Sequence, residues 1–146
     1  MNSNIVRVET TPKLGEGMKD VRGDSVKRQL VADHGIEIST VRSIVGFLIA
    51  SEIDSTQVSE RVDDVFADPI IEESATDELH LDNSNLFTES PDMVITIGFK
   101  PGVTDNPGKA ALDGFRTIFP DVGDEARVST YITYVFNGVP EGTEIE

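Results

Sequence analysis

The chain contains no cysteine and no tryptophan. Without cysteine there can be neither disulfides nor thiolate metal sites, so stability must come from packing and from partners. Long apolar runs are also missing. The longest, Ile44 to Ala50, falls far short of the roughly 20 residues that cross a bilayer, so no membrane association is expected. The opening residues MNSNIVRVET lack the basic start and apolar run of a signal peptide and pass directly into an alternating pattern, which gives a cytoplasmic expectation. Basic residues are scarce, 12 against 27 acids for a net charge of -15. Such a chain repels a phosphate backbone, which argues against nucleic acid as a partner. Histidines number two, His34 and His80. Neither has a second His or Cys at ligand spacing, so no metal site is expected.

What is present describes a soluble globular protein, with 38% hydrophobic and 27% charged residues. A length of 146 residues holds one ordinary domain or two very small ones that need each other, since about 60 residues is near the lower limit for a self-sufficient core.

Internal similarity favours the second arrangement. The segment from Ile5, IVRVETTPKLGEGMKDVRGDSVKRQL, matches in order the segment from Val94, VITIGFKPGVTDNPGKAALDGF. Each opens with alternating apolar side chains, Ile5, Val6 and Val8 or Val94, Ile95 and Ile97, the period of a strand. Each turns through a Lys/Pro/Gly loop and then places an Asp three residues before a Gly, Asp20 with Gly23 and Asp105 with Gly108. Both aspartates are expected as helix N-caps. The following helices are expected to bury Val26 and Leu30, and Ala111, Phe115 and Phe119, at i, i+4 steps. A long strand follows in each copy, starting at Val41 and Val128 and rich in β-branched and aromatic residues.

The first copy continues with STQVSERVDDVFA, one helix capped by Asp54 or Ser55 with Val58, Val62, Val65 and Phe66 as its apolar stripe, stopped at Asp68 and Pro69. A final strand is expected to begin at Ile70 and Ile71. Residues 72 to 92 carry seven acids and no base and read as a solvated linker. The expected organisation is therefore a first α/β unit over residues 1–73, an acidic linker over 74–91, and an incomplete second unit over 92–146. Lacking the second helix and last strand, the second unit is expected to leave part of its sheet uncovered around Val128 to Phe136.

No Ser/His/Asp or Cys/His set can be assembled for nucleophilic catalysis, and the adjacent pairs Asp63 with Asp64 and Glu72 with Glu73 diverge on a helix or strand. Neither GxGxxG nor GxxxxGK[ST] occurs. The candidate recognition residues are those of the two loops and helix starts: Lys13, Gly15, Asp20, Arg22 and Gly23, and Lys100, Pro101, Gly102, Asp105 and Gly108.

The phrase Phe99-Lys-Pro-Gly-Val-Thr-Asp-Asn-Pro-Gly-Lys, followed by a helix and a strand from Val128, resembles the PurS family, whose members have a strand, a Lys-Pro-Gly turn, an Asp-x-x-Gly step and a helix. The first copy is similar through Pro12, Lys13, Gly15, Asp20, Arg22, Gly23, Val41 and Arg42, and through Phe66-Ala-Asp-Pro-Ile-Ile-Glu-Glu, which resembles the family's Asn-Pro-(Val/Ile)-Ile-Glu signature. Two departures stand out: four extra residues in the first loop, and Asp68 in place of Asn. The tandem is similar to synthases with two PurS-like units fused ahead of an ATP-using chain. The resemblance implies an α+β fold of two ferredoxin-like sandwich units forming a pseudo-dimer. It also implies a non-catalytic part of phosphoribosylformylglycinamidine synthase, a glutamine-using ligase of purine synthesis. The partners it implies are a synthetase domain, where ATP and Mg would bind, a glutaminase subunit, and further copies of the unit. The alternative left open is a tandem ferredoxin-like domain that binds a regulatory small molecule.

Overall fold

A computed structural model describes residues 4–14, 17–82 and 90–140. The fold is α+β, one five-stranded antiparallel sheet with four α-helices among the described residues. In chain order these are β1 (Asn4–Pro12), α1 (Val21–His34), β2 (Thr40–Ser51), α2 (Ser55–Glu60), α3 (Val62–Val65), β3 (Glu72–Thr76), β4 (Met93–Gly98), α4 (Asn106–Ile118) and β5 (Arg127–Asn137), with a 3-10 turn at His80–Asp82. The strand order is β3-β1-β2-β5-β4.

The expectation of separate sheets packed as a pseudo-dimer is corrected here. β2 and β5 pair antiparallel without interruption from Thr40↔Asn137 to Ala50↔Arg127, so the two halves share one sheet. Both strands are long, and their inner edges satisfy each other's backbone groups along the whole length.

Alternation sends one set of side chains to a helix-covered face and the other to a face free of α-helices among the described residues. On the covered face Val6, Val8, Ile49 and Val128 pack with Val58, Val62, Ala111 and Phe115 from α2, α3 and α4 and with Phe66 just after α3. Phe47, Phe66, Phe115 and Phe119 form a chain of tilted rings with centroids 4.9, 6.3 and 5.0 Å apart. A second cluster lies under α1, where Ile38, Val41 and Phe136 are buried and Val26 and Leu30 pack against them. The helix stripes expected from the sequence are thus in place, those of α1 only partly buried.

Three further expectations change. The helix after β2 is broken at Arg61, whose N–H turns back to Val58 O at 3.0 Å. Val58, Val62 and Phe66 nevertheless stay buried, because four-residue spacing survives the break. The strand expected at Ile70 starts instead at Glu72. Asp68 holds a turn around Pro69, accepting from Ile70 N–H at 3.0 Å through its side chain and from Glu72 N–H at 2.8 Å through its carbonyl, and both isoleucines are left exposed. Finally, the stretch read as a solvated linker opens inside β3 and then returns to the sheet. Asp77, at φ 57°, donates its N–H to Arg7 O at 2.7 Å and accepts from Arg7 N–H at 3.0 Å. That turn brings His80 down onto the helix-free face, where it is buried; residues 83–89 of the same stretch lie outside the described residues.

The expected uncovered patch also moves. Val128, Val135 and Phe136 are buried, because β5 is an inner strand between β2 and β4; Val128 packs with Ala111 and Phe115 of α4 and Phe136 lies under α1. From β4 onward the exposed large apolar side chains among the described residues are at and just after this outer strand, Val94 and Ile97 of β4 with Phe99 and Val103 beyond it.

Candidate functional site

The two recognition loops are built alike. Asp20 caps α1 by accepting from Gly23 N–H at 2.8 Å, and it also accepts from Ser43 N–H at 2.5 Å and from the Ser43 hydroxyl at 2.7 Å. Asp105 caps α4 by accepting from Gly108 N–H at 2.7 Å, and from Thr130 N–H at 2.6 Å and the Thr130 hydroxyl at 2.8 Å. One carboxylate thus ties a helix start to the next strand. The glycines allow the approach: a Cβ on Gly23 would lie 2.2 Å from Val41 O, and one on Gly108 2.5 Å from Val128 O.

This geometry sorts the expected contact residues. Asp20, Gly23 and Gly108 are buried and Asp105 is half-buried, and all four are engaged in the cap. Arg22, Lys100, Pro101 and Gly102 are exposed, with Gly102 at φ 85°. Lys13 donates to Pro69 O at 2.6 Å, and Gly15 lies outside the described residues. Lys13, Asp20 and Arg22 border a groove of about 760 Å³ between the first loop, α1 and Ile71. The structure does not bring the two loops together. β1 ends beside Ser43, whereas β4 ends beside Tyr131, placing the loops at opposite ends of the sheet.

A second constellation, missed by sequence reasoning, lies on the helix-free face. Glu9, Gly46, Tyr131 and Gly98 occupy one row across four strands. The Tyr131 ring lies over Gly46, where a Cβ would sit 1.9 Å from the ring, and its hydroxyl donates to Glu9 Oε2. Glu9 Oε1 accepts from His80 N–H at 2.8 Å, and His80 Nε2 is 2.9 Å from the Glu9 carbonyl. A carbonyl only accepts, so Nε2 is the donor of that bond, and the buried Nδ1 has no partner among the described residues. Burial first, then the hydrogen bond to Glu9 and its charge, push the Tyr131 phenol above its ordinary value. Tyr131 is therefore a fixed hydrogen-bond donor rather than a base. Nearby, Arg42 donates to Pro12 O at 3.2 Å, and burial lowers its pKa while the charge of Asp20 opposes the shift.

The one sequence signal for this row was Gly46 inside an otherwise β-branched strand, the mark of a close approach. Glu9 and His80 gave none, because a charged residue on an alternating strand and a histidine among acids both read as solvated.

Chemically, the row is a closed network. Tyr131 and Glu9 are committed to each other, and no group of three or more His, Asp or Glu side chains among the described residues could hold a metal ion. No helix among the described residues is long and apolar enough to cross a membrane. In comparisons with protein-family models, curated proteins and solved structures, nothing matches the chain.

Proposed function

We propose that this chain is a non-catalytic structural and interaction module of phosphoribosylformylglycinamidine synthase, bridging the ATP-dependent synthetase and the glutaminase that feeds it. The observation that carries the reading is the doubled cap: the loops that resemble the PurS motif each end in an aspartate that binds a glycine N–H three residues on and clamps the following strand at positions 87 residues apart, Ser43 and Thr130.

The strand register supports two related units. Val6 pairs with Ile49, and 87 residues later in each strand Met93 pairs with Phe136. This shifts the sequence match of the first strands by two residues, and an even shift keeps every side chain on its face. Val45 pairs with Ile132, themselves 87 apart, which puts a pseudo-twofold axis between them. Two ferredoxin-like units sharing one sheet fit that symmetry.

The same symmetry sends the two loops to opposite ends, an arrangement suited to contacting two different partners. The outer edge of β4 adds unpaired backbone groups flanked by exposed Val94 and Ile97, a template for strand addition. Catalysis stays with the partners.

Co-elution of the chain with the synthetase and glutaminase portions in size-exclusion chromatography tests the reading. Association is expected, weakened by Ile97→Asp on the free edge and by Lys100→Glu in the second loop. Failure of the unmodified chain to associate would overturn it.

A further inference from the structure

We infer that the helix-free face carries a binding site for a small aliphatic carboxylate, with Arg7 as its anchoring cation. A cavity of about 350 Å³ spans β1, β2, β5 and β4 beside the Glu9–Tyr131 row. Ile44, Leu48, Leu79 and Leu81 supply apolar lining, and among the described residues lining it Arg7 is the one cation and Glu9 the one acid.

Arg7 is the anomaly. Its backbone is fixed on both sides by Asp77, and its side chain is half-buried with Nε shielded and without a hydrogen-bond partner among the described residues. The ion pairs among those residues are Arg61 with Asp64 and Arg116 with Asp124. Among the described residues, then, no carboxylate forms an ion pair with this guanidinium. Glu9, two residues along the strand on the same face, is 3% exposed and engaged by Tyr131 and His80. An N–H donor held away from water without a partner is unfavourable, and an incoming anion that accepts from the Arg7 Nε–H would offset that cost.

The lining selects the anion. One guanidinium compensates one negative charge, and its planar fork matches a carboxylate in two parallel hydrogen bonds. Phosphate, with more charge, would find no second cation among the described residues lining the cavity. The four aliphatic side chains favour an alkyl tail, and the volume lies at the small end of the roughly 300–1,000 Å³ range of ligand pockets. The hydroxyls of Thr96 and Thr133, 2.9 Å apart, are polar groups available to orient the head.

Pentanoate is the probe, titrated into the whole chain and followed by calorimetry and amide chemical shifts, with pentanol, pentylamine and inorganic phosphate as comparisons. Saturable binding of pentanoate is expected, with shifts centred on Arg7, Thr96 and Thr133 and affinity about tenfold or more above that of pentanol. Arg7→Met, which keeps the apolar stem, should lose about tenfold, and Arg7→Lys should fall between; Arg22→Met should bind as the unmodified chain does. The inference is overturned by absence of saturable pentanoate binding, by equal affinity for pentanol, by tighter phosphate binding, or by undiminished binding to Arg7→Met. If Arg7→Met fails to fold, the shift map of the unmodified chain and the Arg7→Lys titration decide. No partner protein is involved, so failure here leaves the interaction reading standing.

Discussion

The hydroxyl of Tyr131 reaches across Gly46 to the carboxylate of Glu9, joining β5 to β1 over the intervening strand. This bond ties the two halves of the sheet on the face that none of the described α-helices covers. The 3-10 turn is held to the same carboxylate through His80.

Tyr131→Phe removes the donor and leaves a buried carboxylate oxygen unsatisfied, which should destabilise the chain by about 1–3 kcal/mol. Chemical denaturation with and without the substitution measures it. An unchanged midpoint would mean that the bond contributes nothing net.

The same residue sets an alkaline limit. Its phenol is held above the ordinary value of 10.0, so the folded state favours the protonated form. That contribution is fully present below pH 10 and is lost as pH rises from the unfolded value toward the folded one. Stability of the unmodified chain should therefore fall above pH 10, and the fall should be shallower in Tyr131→Phe. Equal slopes in melting experiments from pH 8 to 11 would contradict this.

Gly46→Ala puts a methyl into the Tyr131 ring, and relieving that overlap should cost about 1–3 kcal/mol. The cost should shrink in Gly46→Ala combined with Tyr131→Ala, where the obstructing ring is gone. A double-mutant cycle reads the coupling directly; additive effects would place the ring elsewhere.

The two caps should differ in weight. Asp20 is 3% exposed while Asp105 is only half-buried, so Asp20→Ala strands its amides further from water. About 2–4 kcal/mol is expected for Asp20→Ala and about 1–2 kcal/mol for Asp105→Ala. Equilibrium unfolding of the two variants ranks them, and the reverse order would contradict the burial argument.

The contrast between the caps and the tyrosine row explains what the sequence made legible. Asp20 and Asp105 act three residues away, on Gly23 and Gly108, so their spacing is written locally and survives in both segments. The second bond each makes, to Ser43 or Thr130, was not legible, because it depends on how a helix sits against a strand. Alternation in IVRV and in VRSIVGFLIA found the strands, but pairing order is a long-range outcome, and only the β2–β5 register reveals one sheet instead of two. The Glu9–His80 contact is harder still. It joins residues 71 apart through a turn at Asp77 whose left-handed conformation, uncommon outside glycine, has no strong signature. Local acidity made that stretch look solvated; burial of one histidine within it was decided by the face beneath.

The central claim is tested most directly by reconstitution. The synthetase and glutaminase portions are combined with and without this chain, and glutamine-dependent formation of the amidine product is followed alongside ammonia-dependent formation. The account predicts that adding the chain restores the glutamine-dependent rate while the ammonia-dependent rate of the synthetase changes little. No association and no gain in the glutamine-dependent rate, with both portions active on their own, would contradict it.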